Sequence, residues 1–346
     1  MEWTDQVGHG DWIRERLDAG PSSSMHAVVP RGFPAYARVL HRPHVVVLPG
    51  RPVPTQEEWV RMPEAEQRRL SDAMVYSPTS WAETARAFGT AVHAEAQWNR
   101  LVRTPAGSGD WQHALAPDGR EFEAPTPGQL DADLVADVAT HLAANTSTPA
   151  DVFVAIWEGW GGLTGFFGQS PGRTFMQLAA QDEPGPAFTP DDAQRRAADA
   201  AVYAQHNAML GRSIHDSFNT VLGQPTWQPG TLSDGISRGP RLRLPGRDHI
   251  LFRGGVDELA DPEWAAVVPW RDPERERLGL DPAAESPSLV WPADRAWIMV
   301  TEVDYDSTIV AGGSDLIRAL VADPLVEAFR LEEGADLSWD ADGINR

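Results

Sequence analysis

The sequence predicts an α+β fold in which a mixed or antiparallel sheet packs against helices, with long loops rich in Gly and Pro between them. Segments rich in Val, Ile and aromatic residues, bounded by Gly or Pro, predict strands. Other segments place apolar residues three and four positions apart, which is the spacing along one face of a helix. Because the two kinds of segment do not alternate strictly, the pattern favours α+β over a doubly wound α/β sheet.

The predicted elements follow one another along the whole chain. Strands are predicted over 27–29, 37–41, 45–48, 152–157, 249–252, 296–304 and 308–310. Helices are predicted over 56–70, 81–88, 91–102, 128–144, 191–210 and 315–321. Loops are predicted over 104–128, 183–190 and 223–248. Capping-box patterns at Thr55 with Glu58 and at Ser80 with Glu83 support two of the helix starts.

The chain length allows one or two domains, since a domain commonly has about 150 residues. We expect residues 1–346 to form one compact unit, with a division into 1–125 and 126–346 as the alternative. No segment approaches the roughly 18 consecutive apolar residues of a membrane-spanning helix, and the first residues lack the pattern of a signal peptide. We therefore expect a cytoplasmic protein without a membrane partner.

The amino-acid inventory excludes several classes of chemistry. The sequence has no cysteine, and all 29 of its basic residues other than histidine are arginines. Disulfides, thiolate nucleophiles and sulfur-ligated metals therefore cannot occur. The absence of lysine excludes a Schiff base to pyridoxal phosphate and the phosphate-binding lysine of Walker-type and kinase sites. With 50 acidic residues the net charge is −21, which argues against a nucleic-acid partner.

Three sequence motifs carry a resemblance to a known group of proteins. They are WEGWGG at 157–162, WPADRAW at 291–297 and TEVDYDST at 301–308. With their surroundings they resemble a family of uncharacterised actinobacterial proteins, over roughly the first 160 and the last 100 residues but not over 163–248. The resemblance implies that the two ends of the chain belong to one unit, and it implies no chemistry.

Two glycine-rich segments match catalytic or cofactor motifs only in part. Residues 168–172 match the serine-hydrolase pattern, but Pro171 follows Ser170 and has no N–H for the oxyanion hole. The strand predicted over 152–157 runs into a glycine-rich segment like a dinucleotide-binding loop. That fingerprint needs a third glycine where this chain has Thr164. A glycine-rich loop is therefore the better interpretation of both segments.

The strand predicted over 296–304 leads into a set of carboxylates. If the strand alternation continued, Glu302, Asp304 and Asp306 would lie on one face. Three neighbouring carboxylates repel one another unless a cation lies among them, so they are candidate ligands for Mg²⁺, Mn²⁺ or Ca²⁺. The alternative is a solvated strand end, or pairing with nearby arginines, for which the candidates are Arg253, Arg295 and Arg318.

Tryptophan is unusually frequent, with 14 residues against 4 tyrosines and 11 phenylalanines. Most tryptophans pack in cores, but they also form binding surfaces. We name Trp160, Trp291 and Trp297 beside Arg295 as a candidate wall for a small anionic or aromatic ligand, because arginine stacks on indole rings.

These observations predict a soluble ligand- or protein-binding protein. An acidic neutraliser of a basic protein partner, comparable to an immunity protein, is one form of this hypothesis, because strong negative charge steers such an encounter. The alternative is a carboxylate- or divalent-metal-dependent hydrolase that uses Glu302, Asp304 and Asp306. The sequence does not decide whether the protein is an enzyme.

Overall fold

A large antiparallel sheet organises the computed structural model, which describes residues 1–20, 23–105, 110–168 and 226–345. The strands are β1 Glu2–Trp3, β2 Ala35–Leu40, β3 His44–Val47, β4 Val75–Pro78, β5 His113–Leu115, β6 Glu121–Glu123, β7 Val152–Trp157, β8 Phe166–Gly168, β9 Thr226–Gln228, β10 Leu242–Leu244, β11 Arg247–Gly254, β12 Leu289–Pro292, β13 Ile298–Thr301, β14 Ser307–Gly312 and β15 Ala328–Leu331.

The described helices are mostly short and lie between these strands. They are α1 Asp11–Arg14, α2 Gln56–Arg61, α3 Glu64–Ala73, α4 Trp81–Phe88, α5 Trp98–Leu101, α6 Ala132–Ala143, α7 Asp234–Ser237, α8 Asp257–Ala260, α9 Trp264–Val267, α10 Pro273–Arg277 and α11 Ser314–Ala322. Together with the antiparallel sheets they confirm the predicted α+β class.

The described strands form three sheets in which all pairs are antiparallel. The largest has the order β1-β11-β7-β12-β13-β14-β2-β15, with β10 added beside β11. A second sheet has the order β4-β3-β6-β5, and β8 pairs with β9. Strand β2, from the N-terminal part of the chain, lies between β14 and β15 from the C-terminal part. Residues from both parts of the chain therefore build the main sheet.

The main sheet is covered on both faces. On one side, α11 contacts β2, β14 and β15, while α6 contacts α8, α9 and α11. On the other side, the N-terminal segment packs against the sheet. This core includes Trp12, Ile13, Met25, Val29, Phe33, Tyr36, Phe153, Leu251, Leu289, Trp291, Ile298 and Val300. The central strands are buried on both faces, which explains why their sequences are almost continuously apolar.

The sequence patterns locate most of these elements, with identifiable differences. The helix predicted over 56–70 is divided into α2 and α3, because Pro63 has no N–H for a helical hydrogen bond. Residues 27–29 do not form a strand, since Met25–Ala27 is a 3₁₀ turn. The predicted loop at 104–128 contains β5 and β6, and the loop at 223–248 contains β9, α7 and β10. The helix predicted over 191–210 and the loop predicted over 183–190 lie outside the described residues.

The chain divides into two compact units by its internal contacts. The larger unit comprises Met1–Leu163 and Arg238–Arg346, and the smaller comprises Thr164–Ser237. The alternative boundary at 125/126 falls inside the larger unit. In the described part of the smaller unit, Phe167 packs edge-on against Trp227 at 5.1 Å, and the Trp227 indole N–H donates to Asp234.

Among the described residues, no helix has the length and apolar character that crossing a membrane requires.

The turn between β13 and β14 depends on a glycine from another segment. Gly128 has a φ of +71°, and its N–H donates to the Tyr305 carbonyl at 2.8 Å. A Cβ atom at this position would lie 2.6 Å from the Val303 Cα. Backbone atoms cannot yield as a flexible side chain can, so residue 128 must be glycine for the turn to keep its place.

We predict that Gly128→Ala lowers the free energy of unfolding by about 2 kcal/mol or more, because it adds both a clash and an unfavourable φ. Urea denaturation measures this difference. Gly161→Ala is the control, since a Cβ there has nothing within 4 Å and no positive φ. Equal stability of the two variants would contradict the proposed role of Gly128.

Candidate functional site

The acidic segment 302–306 is a turn and not the continuation of a strand. Strand β13 ends at Thr301 and β14 begins at Ser307. The expectation that Glu302, Asp304 and Asp306 share one strand face is therefore wrong, because the alternation of side chains stops where the turn begins. The three carboxylates instead divide between two arginines from other strands.

Arg247, at the start of β11, holds two of the carboxylates. Its Nε donates to Glu302 Oε1 at 2.6 Å, and one Nη donates to Asp304. Its guanidinium also lies over the ring of Trp157, with 5.0 Å from Cζ to the ring centroid. A positive charge thus already lies between Glu302 and Asp304. The pairing alternative is correct in kind, but its arginines are Arg247 for Glu302 and Asp304 and Arg38 for Asp306.

The arginines named as pairing candidates have other partners. Arg253 binds Asp151, and Arg318 lies 3.0 Å from Asp315. Within the described part of the chain, no group of three or more His, Asp or Glu side chains is arranged to hold a metal ion. Binding of Mg²⁺, Mn²⁺ or Ca²⁺ at 302–306 stays a prediction.

The four residues of the predicted ligand wall do not converge on one site. Trp291 is buried and stacks on Phe153 at 5.6 Å, and Trp297 is buried near Gly312. Trp160 is partly exposed and packs edge-on against Trp157. Arg295 is exposed. It does stack on an indole ring, but on that of Trp12, with 5.5 Å to the centroid.

A cavity of about 230 Å³ in the larger unit brings together a different set of aromatic rings and two of the predicted carboxylates. We call it the aromatic cavity, and its main lining residues are Trp98, Trp111, Trp339, Tyr305, Asp304 and Asp306. Six separate segments of the sequence contribute to it. The aromatic cavity therefore depends on the tertiary fold and leaves no local motif in the sequence.

The rings of the aromatic cavity are positioned by contacts with one another and with the core. Trp98, the first residue of α5, is buried and packs edge-on against Trp81 at 5.6 Å. Trp339 is 50% exposed and meets Trp111 at 5.5 Å with the two ring planes 87° apart. Perpendicular rings form a corner with two aromatic faces, which a guest can contact together.

The carboxylate of Asp306 is fixed by a buried arginine. Arg38 in β2 is 1% exposed, and its Nη2 donates to Asp306 Oδ1 at 2.9 Å. Its Nε donates to Ser307 Oγ at 2.8 Å, while Nη1 donates to the carbonyls of Ala94 and Ala96. Because the guanidinium is held at all three nitrogens, Asp306 has one defined position.

The surroundings of Tyr305 are predominantly acidic. Burial is the largest cause that raises the pKa of the Tyr305 hydroxyl, and the charges of Glu302, Asp336 and Asp304 raise it further, whereas Arg38 lowers it. The phenol is therefore uncharged at neutral pH. With Asp306, four carboxylates lie in this region against the two guanidinium groups of Arg38 and Arg247. The excess of negative charge favours a positively charged guest.

Two residues that line the aromatic cavity carry buried N–H donors. Trp98 is 2% exposed and Gln97 is 6% exposed. The Nε1 of Trp98 and the Nε2 of Gln97 have no hydrogen-bond partner among the described residues. The indole N–H groups of Trp3, Trp12, Trp160 and Trp297 are buried without a partner in the same way, so this feature is not specific to the cavity.

The outer wall of the aromatic cavity is the segment after β15, which is fastened by Asp342. This buried carboxylate bonds to His93 Nε2 at 2.9 Å, to the backbone N–H groups of Ile344 and Asn345, and to Asn345 Nδ2 at 2.8 Å. Burial raises the pKa of Asp342, but the hydrogen bonds from Asn345 and His93 outweigh it and lower the pKa to about 2. Trp339 thus belongs to a firmly attached segment.

The remaining sequence motifs add no further site in the described residues. Strand β7 has the predicted bounds 152–157, and turns follow it, as a plain glycine-rich loop would. Ser170 and the rest of its motif after Gly168 lie outside the described residues. Comparisons with protein-family models, curated proteins and solved structures give no significant match.

Of the cavity residues, only Asp304 and Asp306 were candidates from the sequence pattern. The high tryptophan content was the available signal for Trp98, Trp111 and Trp339, but composition does not distinguish a core tryptophan from a binding one. That distinction requires the exposure and the neighbours of each ring.

We predict that Asp342→Asn lowers the free energy of unfolding at pH 7 by about 2 kcal/mol, as expected for a carboxyl whose pKa falls from 3.8 to about 2 on folding. A group with a lowered folded pKa stabilises above its unfolded pKa, and this contribution disappears as the pH falls through the folded value. The difference between variant and wild type should therefore shrink between about pH 4 and pH 2.

Denaturation at several pH values measures this difference, with Asp340→Asn as the control. Asp340 is an exposed neighbour whose only described partner is Arg100, so its loss should change stability little. A difference for Asp342→Asn that stays constant down to pH 2 would contradict the assignment.

Proposed function

We propose that this chain is a binding protein whose aromatic cavity takes a positively charged side chain of a basic protein partner. The observation that carries the proposal is the meeting of four aromatic rings and two carboxylates around one cavity of about 230 Å³. Tryptophan faces attract cations through the quadrupole of the ring. Carboxylates at the same site add charge complementarity.

The net charge supports the same partner. At −21 the chain attracts a basic protein over long range and speeds its approach. Such steering does not require a specific contact, whereas the aromatic cavity supplies one. A negatively charged surface with one aromatic anchoring point matches the usual division between rim electrostatics and a central hot spot in protein interfaces.

The hydrolase alternative has no comparable support in the described geometry. Glu302 and Asp304 are both bound by Arg247, so neither is an unpaired acid or base beside a cavity. His249 is buried in the same strand as Arg247, and burial together with the charge of Arg247 lowers its pKa to about 4.

We predict that a capped peptide Gly-Arg-Gly-Arg-Gly binds the wild-type chain at low salt, measured by titration calorimetry, while the Glu-containing counterpart does not. Trp339→Leu removes an aromatic wall and should weaken binding about threefold to tenfold, the effect expected of one cation–π contact. Asp304→Asn should weaken it as well. Both side chains are at least half exposed, so neither change threatens the fold.

Each variant has a matched control outside the aromatic cavity. Trp160→Leu removes a tryptophan from an edge-on pair of the same 5.5 Å spacing, and Asp315→Asn removes an exposed, arginine-paired carboxylate. Both should bind the peptide as the wild type does. If the controls lose as much affinity as the cavity variants, binding is only a response to overall charge and the proposed site is wrong.

A further inference from the structure

The carboxylates of the aromatic cavity cannot act as free counter-ions. Asp306 already accepts a charged hydrogen bond from Arg38, and Asp304 accepts one from Arg247. Each therefore contributes only part of its charge to a guest. A guest that gives up tightly held water needs strong replacement interactions, and two shared carboxylates supply these incompletely.

The aromatic rings, by contrast, carry no stacked arginine in the described part of the chain, although Arg38 also lines the cavity. No described arginine lies over the rings of Trp98, Trp111 or Trp339. Cation–π attraction is most effective for cations that are weakly hydrated, because little hydration is lost when they contact a ring. Guanidinium is less strongly hydrated than the primary ammonium of lysine, and a methylated ammonium has few or no N–H groups for water.

From this contrast we infer that the aromatic cavity selects guanidinium or methylated-ammonium groups over the primary ammonium of lysine. The inference rests on the proposed function, and it names the chemical class of the side chain that enters. The corner between Trp111 and Trp339 suits both groups, since a planar guanidinium can stack on one face and a rounded methylated ammonium can contact both.

We take a basic side chain carried on a peptide as the guest, because the proposed partner is a basic protein attracted by the net charge of −21.

The test uses four capped pentapeptides, Gly-Gly-X-Gly-Gly, in which X is arginine, trimethyllysine, lysine or the neutral isostere citrulline. Calorimetry with the full chain should give affinities for the arginine and trimethyllysine peptides roughly fivefold or more above that for the lysine peptide, in the range of one to two cation–π contacts. The citrulline peptide should bind weakest. The order of the first two identifies the preferred cation.

Two variants separate the aromatic contribution from the acidic one. Trp339→Leu should bring the ratio of arginine to lysine affinity close to one, whereas Asp304→Asn should weaken all three cationic peptides by a similar factor. Trp160→Leu should leave the ratio unchanged.

The possible failures are distinguishable. If the lysine peptide binds as tightly as the other two cations, the selectivity is wrong and the proposed cation site remains. If selectivity persists in Trp339→Leu, the corner between Trp111 and Trp339 is not its source, and the inferred role of these rings is wrong. If none of the cationic peptides binds better than the citrulline peptide, the proposed function itself is wrong.

Discussion

The buried guanidinium of Arg38 is the interaction on which the arrangement around the aromatic cavity depends. Arginine cannot lose its proton inside a protein, so a side chain that is 1% exposed must have its charge and its N–H groups satisfied. Arg38 meets this need with Asp306 and Ser307 at the end of one turn and with carbonyls of the segment before α5. A single strand residue thus fixes two walls of the cavity.

This constraint also explains why the carboxylates at 302–306 do not form a common face. A turn directs successive side chains to different sides, and Arg38 and Arg247 approach it from two separate strands. In a chain without lysine, every such partner is a planar guanidinium that can bind more than one acceptor. The acidic segment is thereby held in one conformation before any ligand arrives, which reduces the entropy cost of binding.

The sequence predicted those features that arise from local patterns. The fold class, helix 81–88, strand 152–157 and the capping box at Thr55 depend on neighbouring residues, and the structure has them. The prediction that the strand continues from Thr301 to residue 304 is wrong. Alternation of side chains alone cannot reveal a turn that Gly128 fixes from another segment. The aromatic cavity could not be predicted, since its rings are brought together only by tertiary packing.

The tryptophans show why burial decides between a structural and a binding role. Trp291 and Trp297 are almost fully enclosed, so their large apolar area stabilises the core and no ligand can reach it. Trp339 leaves half of its surface in contact with solvent although its segment is firmly attached through Asp342. A rigid, exposed indole in an otherwise acidic region keeps its apolar face in contact with water. A cationic guest would remove this unfavourable contact and would also be attracted by the ring.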